Sequence, residues 1–327
     1  MNLENFAPVT IVGECFYASH LLGKGTYGTV CCMRSRSGNA IAAKMILNTS
    51  DVQRTLNVRE TSIMNKLQHP NITTYLGAWD INNGLQTVIY MNFAARGTLW
   101  SRCSDPAFMN KGRVRNFFRQ MVDAVRYMHA RGITHNDLKP DNVLLQDDNT
   151  IQIADFGMAQ EIVYENGFEK PVIAIGTDCY NSPLKAANFP SRGTKDDVWA
   201  LGLTLCCIVS RQLPWQNARS DDLRFSSWQS GFGVFEQFPQ VIQHVLQLTL
   251  TINEASRVDA EGLTHTAYYQ PDPPQVPMEY VQSIYPVQPL YVVPHIYVEP
   301  ATFFAISDKD YYNLQQYQND VPLVLIQ

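Results

Sequence analysis

The stretch His135-Asn136-Asp137-Leu138-Lys139-Pro140-Asp141-Asn142 constrains this chain more than any other. It sets a carboxylate, an ammonium and an amide (Asp137, Lys139 and Asn142) within six residues. Upstream, Val114, Phe117, Phe118, Met121, Val125 and Met128 recur at helical intervals, which predicts a helix over 114–130. Downstream, Val143-Leu144-Leu145 and Ile151-Gln152-Ile153 read as short strands parted by Asp147-Asp148-Asn149. The fold must therefore hold a polar loop between a long helix and a small strand pair, with Asp155-Phe156-Gly157 directly beyond.

Those residue types suit phosphoryl transfer. That chemistry needs a carboxylate to orient and accept a hydroxyl proton, cations to spread phosphate charge, and oxygen ligands for magnesium. An acidic turn explains Asp137 or Asp155 alone but not the ordered set. Gly23-Lys24-Gly25-Thr26-Tyr27-Gly28-Thr29-Val30 adds a glycine loop in which backbone N–H groups can approach phosphate without Cβ obstruction. In isolation a simple hairpin turn is the better explanation. A dinucleotide fold requires a helix after the glycines, whereas Thr29 to Met33 reads as a strand. Lys44, at the end of Ile41-Ala42-Ala43, and Glu60, on a helix expected over 52–67, follow in the order that a phosphate-binding ammonium and its carboxylate partner require.

Residues 16–47 read as paired strands, and Thr73 to Trp79 and Thr87 to Met91 flank the hairpin signal Asn82-Asn83-Gly84. Helices are expected near 196–210 and 239–252. Val198 to Val209, the longest apolar run, is too short to span a bilayer and reads as a buried helix. With 45% hydrophobic and 17% charged residues, the chain can bury a sizeable core. A net charge of −5 argues against a nucleic-acid surface. Seven cysteines with no C-x-x-C pair read as reduced thiols of an intracellular protein, cytoplasmic or nuclear. Neither a signal peptide nor a membrane segment is expected.

From about residue 16 to residue 267 the chain resembles the eukaryotic-type protein kinase family, in its serine/threonine branch. The matching set is the glycine loop, Ala43-Lys44, Glu60, His69-Pro70-Asn71-Ile72, the 135–142 loop, Asp155-Phe156-Gly157, Gly176-Thr177, Asp197 to Gly202 and Arg257. The resemblance implies an α+β, two-lobed fold: a small β-rich N-lobe (about 16–91), a hinge (92–97) and a larger, mainly helical C-lobe (98–267). Residues 1–15 would be an N-terminal extension and 268–327 a tail. It also implies ATP between the lobes, Mg2+ as cofactor and protein substrates. Asp137 becomes the catalytic base, Lys139 the γ-phosphate partner, and Asn142 and Asp155 the metal ligands. Gly23, Lys24, Gly25, Thr26, Tyr27, Gly28 and Val30 would cover the nucleotide, with Lys44 on its phosphates and Glu60 holding Lys44. Met91 would be the gatekeeper, with adenine along Asn92 to Ala94. Thr177 is expected to contact both Asp137 and Lys139.

Three positions depart from the family pattern. Asn136 stands where many kinases carry the arginine that receives an activation-segment phosphate, so activity independent of such a phosphate is expected. Ser182-Pro183-Leu184 lacks the glutamate that would pair with Arg257, which must find another acceptor or stay solvated. Thr98 replaces an acidic ribose contact. A catalytically silent binding module of the same fold is the main alternative, and a small-molecule phosphotransferase is another. Beyond Tyr269, eight prolines between Pro271 and Pro300 alternate with tyrosines, and Val321 to Ile326 is apolar. This tail is expected to dock on the lobes or to bind a partner. The short large lobe, Asn136 and the tail resemble divergent, virus-encoded members of the family.

Overall fold

Alternation of side chains along the first strands gives a sheet with two buried faces. The computed structural model describes residues 3–25 and 28–270. Strands β1 (Val9–Ile11), β2 (Glu14–Gly25), β3 (Gly28–Ser35) and β4 (Ala40–Leu47) lead into helix α1 (Asp51–Lys66), then β5 (Tyr75–Ile81) and β6 (Gln86–Asn92). They form one antiparallel sheet in the order β1-β2-β3-β4-β6-β5. Cys31, Met33, Ala43, Met45, Val88 and Tyr90 point to its outer face, where Phe6, Ile11 and Phe16 cover them. Ala42, Ile46, Ile89 and Met91 point inward to the main core, so Lys44 shares their face by the period of two. Residues 3–15, expected as an extension ahead of the domain, thus contribute a strand and two core side chains to the small lobe.

Helix α1 starts where the Ser50 hydroxyl accepts the Gln53 N–H, and it buries Asn57, Glu60, Ile63 and Met64. Its bounds differ by one residue from the expected 52–67. The hairpin at Asn82-Asn83-Gly84 holds all three residues at positive φ, 52°, 55° and 81°. That conformation favours asparagine and glycine.

The large lobe runs α2 (Leu99–Arg102), α3 (Lys111–Ala130), β7 (Ile133–Thr134), β8 (Val143–Leu145), β9 (Ile151–Ile153), β10 (Gln160–Glu161), β11 (Tyr164–Glu165) and β12 (Phe168–Glu169). Then come α4 (Pro183–Ala186), α5 (Gly193–Ser210), α6 (Leu223–Gln229), α7 (Gln240–Thr249) and α8 (Ala260–Leu263). Helix α3 buries all six residues of its expected stripe, each burial contributing roughly 1.5–3 kcal/mol. Helix α5 is buried on every side from Asp196 to Ile208, as its apolar run requires. Trp199 on α5 packs with Trp215, Phe225 and Trp228. Residues 71–73 join the lobes: Thr73 N–H donates to Ile153 O, and Ile153 N–H to Asn71 O. Near the end of the described chain, Arg115 Nε holds the Tyr268 carbonyl, and the Tyr269 hydroxyl donates to Asp123. Residues 271–327, with the docking expected of them, lie outside the described residues.

Arg257 finds its acceptors in the backbone. The guanidinium is buried, donates to the carbonyls of Thr251, Lys195 and Ile252, and lies 5.0 Å over the Trp199 ring. Burial pulls its pKa down to about 10.

Candidate active site

Side chains from both lobes converge between the sheet and α3. Lys44, on β4, is buried, and its Nζ lies 2.7 Å from Glu60 Oε1 on α1 and 2.8 Å from Asp155 Oδ1. Burial works against the ammonium, yet the two carboxylates hold its pKa above the ordinary lysine value. Asp155 sits at φ 62°, a turn that brings its carboxylate to Lys44 while Phe156 enters the core against the His135 ring. Its own pKa is lowered: burial opposes ionisation, and the Lys44 charge and hydrogen bond outweigh it.

Asp137 is held from four directions. Oδ2 accepts from Lys139 Nζ at 2.7 Å and from Asn142 Nδ2 at 3.0 Å. Oδ1 accepts from the Thr177 N–H at 2.9 Å and the Thr177 hydroxyl at 2.6 Å. Lys139 Nζ also reaches Thr177 Oγ1, so the contact expected of Thr177 with both residues is present. Burial disfavours the charged carboxylate, but the hydrogen bonds from Lys139 and Thr177 keep its pKa below the ordinary aspartate value. The carboxylate is therefore ionised at neutral pH, and its geometry is fixed before any substrate arrives.

The loop that carries Asp137 is pinned by α5. Asp197, fully buried, accepts the backbone N–H groups of His135 and Asn136, both at 2.8 Å, and His129 Nε2 at 2.9 Å. His135 Nδ1 accepts the Asp137 N–H, so Nε2 carries the proton directed at Ala154 O. Sequence reasoning matched Asp197 to a motif but did not read this anchoring role. Among neighbouring sequence signals, only the aspartate at the start of an apolar run hinted at it.

A hard divalent cation suits the remaining acceptors. Asn142 Nδ2 is committed to Asp137 O and Oδ2, so those bonds leave its Oδ1 oxygen unused. Asp155 spends Oδ1 on Lys44, and its side chain is one-third exposed to the cleft. Backbone pairing of Ala154 N–H with Asn142 O keeps the two residues together. Two oxygen donors from the protein suit an ion that shares phosphate oxygens and water.

Above the cleft, Gly23 pairs with Val30 and Lys24 with Thr29 across β2 and β3, and Gly25 faces Gly28. Gly28 adopts φ 151°, and a Cβ there would strike the Met45 carbonyl. Val30 packs on the main core. Thr26 and Tyr27 lie outside the described residues. Met91 is buried at the end of β6. Asn92 N–H is committed to Thr74 O, and its side chain bonds Thr74 N–H and Gln152. Ala94 is half-buried just beyond. Thr98 caps α2, accepting the Ser101 N–H.

A strand-rich lobe over a helical one, with a Lys–Glu pair above and an Asp–Lys–Asn loop below, defines the protein kinase fold. The chain belongs to that family: the model described as "Protein kinase domain" matches residues 16–269. It is similar to NUAK family SNF1-like kinase 2 of Rattus norvegicus, 38% identical over 59% of this chain and 30% of that protein. It is also similar to CBL-interacting protein kinase 28 of Oryza sativa subsp. japonica, 27% identical over 80% of this chain and 60% of that protein. The chain spans about a third of the length of the NUAK relatives it matches. Among the described residues, no helix is long and apolar enough to cross a membrane.

Proposed function

We propose that the chain is a protein serine/threonine kinase that transfers the γ-phosphate of Mg-ATP to hydroxyls of protein substrates. The observation that carries this reading is the Asp137 carboxylate, ionised and held by Lys139, Asn142 and Thr177. A substrate hydroxyl beside Asp137 is oriented by that carboxylate and yields its proton to it. Lys139 faces the same oxygen and offsets negative charge on the transferring group. Lys44, kept protonated by Glu60, binds the α- and β-phosphates. Asn142 Oδ1 and Asp155 would hold Mg2+, which when bound neutralises phosphate charge. Adenine lies along the backbone of Asn92 to Ala94 under Met91, beneath Gly23, Lys24, Gly25, Gly28 and Val30.

We also propose that turnover does not depend on a phosphate in the segment 155–184. Its hydroxyl side chains are Tyr164, Thr177, Tyr180 and Ser182. Thr177 is held between Asp137 and Lys139, and Tyr180 and Ser182 are buried, which leaves Tyr164 exposed. Asn136, in place of a phosphate-binding arginine, directs its amide at Thr134 Oγ1 and Met158 O.

A peptide-array assay with magnesium and labelled ATP tests both readings. Serine and threonine peptides should be labelled by wild type, by phosphatase-treated protein and by Tyr164→Phe, but not by Asp155→Ala. Equal label from Asp155→Ala rejects the enzyme reading. Loss of label after phosphatase rejects the phosphate-independent one.

A further inference from the structure

Lys185 is a buried lysine with an unusual acceptor. It lies on the four-residue helix α4, just beyond the Ser182-Pro183-Leu184 departure, and is 4% exposed. Its Nζ donates to the backbone carbonyl of Asn136 at 2.6 Å. A buried ammonium is costly unless it is matched by nearby charge and hydrogen bonds. The field here comes from Asp196, Asp197 and Asp137. Ser182 and Ser191 donate to Asp196, so that carboxylate is itself fixed below the helix.

The target matters more than the burial. Asn136 precedes the proposed base and sits in the left-handed region, φ 65°. Its N–H is taken by Asp197 and its C=O by Lys185, so both sides of the residue are gripped. On the opposite flank, Gly176 precedes Thr177, the residue that binds Asp137 Oδ1. A Cβ on Gly176 would come within 2.6 Å of Asn136 O, 2.8 Å of Asn181 Oδ1 and 2.8 Å of Lys185 Nζ. The Lys185–Asn136 bond and the Gly176 backbone therefore form one close-packed joint, one residue upstream of both halves of the Asp137–Thr177 contact.

We propose that Lys185 is a positioning residue that locks the Asn136 carbonyl and thereby holds Asp137 in register with Thr177. The inference rests on Asp137 being the catalytic base. It assigns to α4 the cation that Asn136 does not carry. The loop is then ordered by a lysine of the folded chain in place of an added phosphate.

The test pairs kinetics with amide hydrogen exchange on Lys185→Met, using Leu184→Ala as the packing control. In Lys185→Met, kcat should fall about 10- to 100-fold, the loss expected for one charge-assisted bond to a buried acceptor, while KM for ATP stays within about twofold. Exchange in the peptide containing Asn136 and Asp137 should accelerate about tenfold or more, with α1 unchanged. Leu184→Ala, which removes a half-buried α4 side chain outside the joint, should change neither, and Lys185→Arg, which restores a cationic donor, should recover part of kcat. If Lys185→Met does not fold, Lys185→Gln undergoes the same two measurements. Wild-type kcat and exchange in the folded variant overturn the proposal. So does an equal loss in Leu184→Ala, because the effect would then be general packing of α4. Exchange needs no turnover: wild type that labels no protein would reject the kinase reading while the protection of Asn136 still decides the role of Lys185.

Discussion

The two oxygens of Asp137 answer to different parts of the chain: Oδ2 to Lys139 and Asn142 within its own loop, Oδ1 to Thr177 from the distant segment. Asp137→Asn keeps the shape but loses the charge that accepts a proton. Turnover should fall about 10²- to 10⁴-fold with little change in nucleotide affinity, as measured by transfer kinetics and ATP titration. Gly176→Ala acts through space, since its methyl group would meet Asn136 O, Asn181 Oδ1 and Lys185 Nζ together. Both the unfolding midpoint and kcat should drop, as read from melting curves and transfer kinetics. At this scale the sequence was legible where residue types came in ordered sets. Lys44 does bond Glu60 and Asp155, and Asp137 does bond Lys139 and Asn142. Lys185 was not legible, because a single lysine on a short polar segment reads as a solvated charge until its burial is seen.

Helix α5 shows how an element serves the site. Its Asp197 is fully buried, which by itself would raise the pKa, but the hydrogen bond from His129 and the backbone N–H of His135 bring it below the ordinary value. A carboxyl whose folded pKa lies below its unfolded one adds stability that is complete above the unfolded pKa and is lost as pH falls through the folded one. The difference in unfolding free energy between wild type and Asp197→Asn should thus be about 2 kcal/mol or more near pH 7. It should shrink on acidification below about pH 4. Chemical denaturation at several pH values checks this. Elements with long periodic patterns, α1, α3 and α5, were read within a few residues. The expected helix over 239–252 is shorter, Gln240–Thr249, because Leu250 turns out of the helix at ψ 26° while its N–H still reaches Leu246 O. Strand β1 has three residues, too few for alternation to register, and its place is set by tertiary pairing with β2.

For the molecule as a whole, the N-terminal segment closes the outer face of the nucleotide lobe. Phe6 and Ile11 cover Cys31, Met33, Met45 and Val88, whose neighbours in β3 and β4 include Val30 and Lys44. Phe6→Ala should cost about 3 kcal/mol. Removal of residues 1–13 should lower both the thermal midpoint and the affinity for ATP, by melting curves with and without Mg-ATP. If affinity is untouched, the cap and the cleft are energetically separate. The large lobe is secured differently. Arg257 is gripped by three carbonyls and the face of Trp199, with no carboxylate among those contacts. Dissolved ions screen attractions between exposed opposite charges, over a Debye length that shortens as salt rises, and screen buried ones much less. A cation seated in a cage of peptide dipoles gives them little to compete for, so this anchor should hold in strong brine, where the lobe's exposed pairs Arg126–Glu261 and Arg219–Asp178 would weaken.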